Sequence, residues 1–390
     1  MNARRHVLLG AAALAALLIT PPAHAQETVK VGLVLPMTGP FASTGRQIEA
    51  AVKLYQQQHG STVAGKKVEV IVKDDTGTPD LTKRLSQELV VNDKVNVLAG
   101  FGLTPLALAA APIATQGKVP QVIMAAATAT ITEASPYIVR TSMTLPQVAT
   151  PMADWAINNG IKKTMTMVAD YGPGLDAEKA FSEAFVKLGG SVDNLRVPLR
   201  NPDFAPFLQR VADAKPDALF VFVPSGVGSI FMKQFVERGL DKSGVKLIGP
   251  GDITDDDLLN DMGDVALGTV TSFHYSAANP SAENKAFVAS FKKLNQMRPN
   301  FMAVAGYDGM HLIYEALKKT NGAAGGDALV AAMKGMSWTS PRGPVTIDPE
   351  TRDIIQNVYI HKVERVDGEL YNVGFATIPN VKDPVKAAKK

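Results

Sequence analysis

The chain has 390 residues, 46% hydrophobic and 20% charged, with 40 Lys+Arg against 37 Asp+Glu, a formal net charge of +3 and no cysteine. Disulfides, a lipid-modified cysteine and a thiol nucleophile are thereby excluded. A nearly neutral chain without a long basic run is poorly suited to nucleic acid, where phosphate neutralisation dominates affinity.

The first residues read as an export signal. Arg4 and Arg5 supply a positive start, Val7–Leu18 an apolar run too short to span a membrane, and Ala23-His24-Ala25 an A-x-A cleavage site. Cleavage before Gln26 is expected, so residues 1–25 stand outside the fold and a periplasmic location follows. The remaining chain, about 365 residues, is too long for one compact core, and two lobes are expected. Val29–Gly45, VKVGLVLPMTGPFASTG, opens the mature chain as a buried strand that breaks into a Gly/Pro/Ser/Thr loop and then a helix. Such a loop at the carboxyl end of a parallel strand faces the crevice where open α/β sheets bind ligands.

Further apolar runs at Val68–Val72, Val95–Ala99, Val119–Met124, Thr164–Val168, Ala218–Val223 and Val245–Ile248 read as parallel strands covered on both faces. Helical periodicity fills the gaps. Ile48, Ala51, Val52 and Tyr55 share one face; Leu81, Leu85 and Leu89 follow Asp80 as a candidate N-cap; Ala180–Leu188 stops at Gly189-Gly190. The βαβα rhythm runs from about 28 to 145 and again from about 160 to 275, which predicts α/β layers. The joints fall at Arg140–Gln147 and Tyr275–Pro280. Helices are expected at Ala282–Leu294, Val304–Lys319 and Asp327–Met333. The tail alternates like antiparallel strands at Val345–Asp348 and Ile355–Val373, with Asp367-Gly368 as a hairpin turn and Lys382–Lys390 as a frayed basic end.

Five polar or Gly-rich loops end these strands. Gly100–Pro105 places Thr104 as a helix N-cap with Pro105 at the first helical position, where exposed N–H groups suit a carboxylate; alternatively Thr104 merely caps its helix. Ala125–Thr128 offers small residues and backbone groups. Tyr171-Gly172-Pro173-Gly174 combines a specified turn with a flat ring. Pro224-Ser225-Gly226 opens a helix at Val227–Glu237, and Gly249-Pro250-Gly251-Asp252 ends the next strand. Asp255-Asp256-Asp257 reads as negative charge at a helix start. Catalytic patterns are missing: His59, His274, His311 and His361 are scattered, Ser225 has Val223 where a nucleophile elbow needs glycine, and Gly100-x-Gly102 lacks a third glycine. No metal or other cofactor is expected, and no enzymatic activity.

VKVGLVLPMTGPFASTGRQ, VEVIVKDDTGTPD, VNVLAGFG, VPQVIMAAATAT, YIVRTS, VADYGPG, DFAPFLQRVADAKPDALFVF, VKLIGPG and GYDGMHLIYEAL together resemble the Leu/Ile/Val-binding protein family, periplasmic receptors of branched-chain amino acid ABC importers. The resemblance spans nearly all of the mature chain. It implies two Rossmann-like lobes with parallel sheets, a periplasmic binding protein type I fold joined by a three-crossover hinge. The N-terminal lobe would be 26–145 plus 276–344, the C-terminal lobe 146–275 plus 345–390. It also implies an ABC permease as partner, and a monomer is expected.

Carried over by position, the residue holding the ligand carboxylate falls on Thr104. The group at the following strand end falls on Ala126 and Thr128, and the covering aromatic on Tyr171. Ser43 in the first loop, Ser225, Gly251 and Asp252 are further candidate ligand-binding residues. The chain departs from the family at Pro224-Ser225, where an aromatic is usual, and at Gly251, where amino-acid binders place the acid that receives the ammonium. A buried ammonium without a charge partner costs several kcal/mol. The ligand is therefore expected to be an aromatic or branched organic acid, unless Asp252 or Asp170 supplies the missing charge for a branched-chain amino acid. The competing readings are a ligand sensor of the same fold and an exported hydrolase, for which no activated nucleophile or metal set is visible.

Overall fold

A computed structural model of the chain describes residues 27–389; the expected signal at 1–25 lies outside them. Among the described residues, six strands build the first sheet: Thr28–Leu35 (β1), Thr62–Val63 (β2), Lys66–Asp74 (β3), Val97–Gly100 (β4), Gln121–Ile123 (β5) and Ile138–Arg140 (β6). Their order is β2-β3-β1-β4-β5-β6, parallel except for β2 against β3. The unbroken apolar run of β1 has a physical cause. Val31, Leu33 and Leu35 pack with Ile48, Tyr55 and Ile313, while Val34 packs with Leu89 and Leu98 on the other face. Helices Ala42–His59 and Phe301–Lys319 thus cover one face and Pro79–Val91 with Thr104–Gly117 the other.

The second sheet holds Lys163–Ala169 (β7), Ser191–Val197 (β8), Ala218–Phe222 (β9), Lys246–Pro250 (β10), Val270–Phe273 (β11), Ser337–Ser340 (β12), Gly343–Ile347 (β13), Ile354–Val366 (β14) and Glu369–Val381 (β15). β8-β7-β9-β10-β11 run parallel, and antiparallel strands close the far side. The β14–β15 turn is Asp367-Gly368, with φ of 49° and 87°, as a two-residue hairpin of this hand requires. In the first sheet β1 lies between β3 and β4, and in the second β7 lies between β8 and β9. Chain order therefore reverses between β1 and β4, and again between β7 and β9. Open α/β sheets bind ligands at such switch points.

The chain crosses between the lobes three times: at Arg140–Leu145, between β11 and helix Ala282–Asn295, and ahead of Ser337. The last crossing precedes the expected boundary at 344 because β12 hairpins onto β13. Buried Asp308, on helix Phe301–Lys319, ties the first and last of these crossings together. It pairs with Arg342 at 2.6 Å and accepts from Trp338 Nε1 at 2.9 Å and Ser340 Oγ at 2.8 Å. Arg342 in turn donates to the Thr141 carbonyl at 2.5 Å and to Gln356 Oε1 at 3.0 Å.

Several local expectations are corrected. Helix Pro79–Val91 begins before Asp80, which sits in its first turn, not at the cap. Thr104 is already helical, with Leu103 at the cap position and Pro105 one residue further in. β8 was hidden by its polar, half-exposed alternation (SVDNLRV), and β6 and β11 by their shortness. The basic tail is docked: Asp383 caps a short helix, Pro384–Ala387, and Lys386 is buried. Asp308→Ala is expected to cost about 3–5 kcal/mol in urea unfolding, because it strands the buried Arg342 charge.

Candidate functional site

The two switch points face each other across the cleft. Thr104 follows β4, Tyr171 follows β7, Ser225 follows β9 and Asp252 follows β10. Thr104, Ala126, Tyr171, Ser225 and Asp252 line one cleft with Phe41, Met143, Phe222, Phe301 and Met302, while Thr128, Ser43 and Gly251 stand outside its lining.

On the first lobe the hydroxyl of Thr104 meets that of Thr128 at 2.8 Å. Thr104 is therefore not spent on capping its helix. A hydroxyl pair at a helix start, where backbone N–H groups lack helical partners, suits a carboxylate. Ala126 contributes surface only: its N–H donates to the Phe101 carbonyl at 3.1 Å, and its carbonyl accepts from Arg140 and Ser142. Arg140, fully buried, also donates to the carbonyls of Thr128 (2.8 Å) and Met143 (3.0 Å). The sequence signal for Arg140 was only a charged residue ending an apolar strand.

On the second lobe the rings of Tyr171 and Phe222 lie 6.2 Å apart and near parallel, 13° between planes. A side chain at Gly172 would collide with Thr128, its Cβ falling 2.5 Å from Oγ1, so the glycine lets this turn approach the opposite lobe. Gly251 is glycine for a related reason. Its Cβ would fall 2.4 Å from the Phe273 ring, which leaves no room for an acid there. The next residue, Asp252, turns into the cleft, 4% exposed and with no partner on Oδ2. Burial pushes its carboxyl up to about 8, and together with that carboxyl it raises the Tyr171 phenol well above its ordinary value. Asp170 is exposed and stays outside the cleft lining.

The acidic run is not helix-terminal charge. Asp255 accepts the Ser225 hydroxyl, and burial beside Asp257, Asp256 and Asp252 holds its carboxyl well above the usual range. Asp256 accepts from the Ala277 N–H at 3.0 Å and from Asn372 at 3.1 Å, and burial lifts it to about 6. Asp257 reaches across the cleft, accepting from Ser43 Oγ at 2.6 Å, Gln47 at 3.3 Å and Asn300 at 3.2 Å. Ser43 thus faces an acid of the other lobe. Ala129 N–H donating to Asp176 at 2.7 Å, and Arg200 to the Gly77 carbonyl at 2.6 Å, complete the closure.

Two α/β lobes, clamped over a cleft lined by hydroxyls, rings and one unpaired acid, define a two-lobed binding protein of the type I periplasmic fold. The chain belongs to the periplasmic binding protein family, whose model matches residues 28–369. It is 44% identical over 378 residues to a Leu/Ile/Val-binding protein homolog 6 of Brucella melitensis, covering 95% of this chain and 97% of the relative. Among solved structures it is similar to a solute binding protein of an ABC transporter from Rhodopseudomonas palustris in complex with 3,4-dihydroxybenzoic acid. That match has TM-score 0.91 and 67% identity, covering 92% of this chain and 99% of that one. A second Rhodopseudomonas palustris solute binding protein, in complex with 4-hydroxybenzoate, has TM-score 0.90 and 41% identity, covering 93% and 100%. Among the described residues no helix is long and apolar enough to cross a membrane.

The Asp252 shift fixes a pH signature. Below about pH 4 the group is protonated whether the chain is folded or not, and the shift has no effect. As pH rises toward 8 the unfolded chain releases this proton and the fold retains it, so stability falls through that window and then levels. Asp252→Asn removes this dependence. In ligand-free thermal scans, the stability advantage of Asp252→Asn over the parent should grow from pH 4 to pH 8 and stay constant above.

Proposed function

We propose that the protein is the exported, periplasmic solute receptor of an ABC importer, acting as a monomer, and that its ligand is a small aromatic carboxylate carrying a ring hydroxyl. The observation that carries this reading is Asp252: a buried acid with one oxygen unpartnered, facing a cleft lined on the other lobe by Thr104, whose hydroxyl is bonded to that of Thr128. Thr104 and Thr128 hold the carboxylate, the rings of Tyr171 and Phe222 cover the flat body, and Asp252 exchanges a hydrogen bond with the ring hydroxyl. Near neutral pH a carboxyl lifted to about 8 is mostly protonated, suited to a neutral hydroxyl and poorly suited to an ammonium. The Rhodopseudomonas palustris relatives with hydroxybenzoates support the ligand class.

Binding drives the hinge because only the closed form contacts the ligand from both lobes. The closed receptor then presents a surface made of both lobes to a membrane permease. One observation favours a second ligand, a branched-chain amino acid: Asp252 sits one residue from the position where the ammonium-binding acid is expected, and relatives bear Leu/Ile/Val-binding names. Calorimetric titration separates the two. 3,4-Dihydroxybenzoate should bind far more tightly than leucine, and the reverse order would overturn the proposal. Thr104→Ala should weaken the aromatic acid by about 1–3 kcal/mol, the range for leaving a charged group short of a hydrogen bond.

A further inference from the structure

Behind the Ala126–Thr128 loop, on the side away from the cleft, runs a buried chain of charges that ends in the C-terminal tail. Arg140 grips the loop carbonyls and pairs through Nε with Asp353 at 2.9 Å. Asp353, at the foot of β14 in the second sheet, is shared with Lys386. Lys386 Nζ donates onward to Thr132 Oγ1 at 2.5 Å, inside the turn Ala129–Ala134 that directly follows Thr128. Arg352, beside Asp353, donates to the Thr132 carbonyl at 2.6 Å and the Ser135 carbonyl at 3.3 Å. Three cations thus hold one ten-residue stretch from behind, and one of them, Lys386, belongs to a tail helix of only four residues.

The burial of Lys386 is the telling feature. Lys386 is 7% exposed, Asp353 2% and Arg140 0%. Taking such groups out of water is costly and repaid only by good geometry. Tethering a tail needs no buried lysine; the surface pair Lys389–Glu133 at 2.8 Å already does that. What the buried chain adds is a fixed position for the backbone that presents Thr128 to Thr104.

We propose that Arg140 and Lys386 are positioning residues for ligand binding: without touching the ligand, the C-terminal tail sets the loop at which the acid group is held. This rests on the reading of Thr104 and Thr128 as the acid-binding side.

The test uses the mature chain with Lys386→Met, Lys386→Arg and a truncation before Lys382. Amide hydrogen exchange is followed in the ligand-free protein, and 3,4-dihydroxybenzoate affinity is measured well below the unfolding transition. In Lys386→Met and the truncation, exchange across Ala126–Ala134 should quicken about tenfold while β1 is unchanged, and Kd should rise about tenfold, with Lys386→Arg close to the parent. Unchanged exchange at Ala126–Ala134, equal quickening in β1, or a quickened loop with unchanged affinity would each overturn the proposal. If the parent does not bind 3,4-dihydroxybenzoate, the ligand reading fails separately, and selective quickening of the loop still supports the positioning role.

Discussion

The structure turns on a carboxyl group that the protein buries and leaves unpaired. Asp252 sits at the carboxyl end of a parallel strand, shut in by the opposite lobe, with one oxygen lacking any partner. An unmet hydrogen-bonding group of this kind costs free energy that a matching ligand returns. Closure and recognition are therefore one event. The geometry that buries Asp252 also brings it across from Thr104, and neither lobe holds both residues.

The rest of the fold keeps that encounter reproducible. Each sheet offers its switch point at the carboxyl ends of its strands, so the five loops bearing Thr104, Ala126, Tyr171, Ser225 and Asp252 converge without long excursions. Asp308 and Arg342 join the first and last crossings in one node. Around the mouth, Asp257 meets Ser43 and Gln47, and Asp176 meets the Ala129 N–H. These bonds form only when the lobes meet, and they engage none of the side chains of Thr104, Tyr171 and Asp252. Asp255 accepts the Ser225 hydroxyl on one oxygen and has no partner on the other, and Asp256 accepts from the Ala277 N–H and Asn372; of these three acids only Asp252 lines the cleft.

The architecture was legible because its signals are local. Apolar runs covered on both faces, Gly/Pro-rich strand ends and the Asp367-Gly368 turn each follow from a few neighbouring residues. The site was legible only as positions. That Thr104 would turn to Thr128 depends on how two strand ends stack, not on a capping preference. Three consecutive acids before an apolar stretch read locally as helix-terminal charge; their burial comes from contacts such as Ser43 to Asp257, 214 residues apart. Gly251 carried a signal in hindsight, since Phe273 fills the space a side chain would need and moves the acid one residue along. The basic tail looked like any frayed end, because nothing near Lys386 in sequence announces Asp353.

The proposed binding mode is a two-ended grip, acid group on the first lobe and ring hydroxyl on the second. A crystal structure of the complex with 3,4-dihydroxybenzoate tests it most directly. The account predicts the carboxylate within hydrogen-bonding distance of Thr104 and Thr128, and a ring hydroxyl on Asp252 beside Tyr171. A ligand bound the other way round, or seated outside the cleft between the lobes, would contradict it.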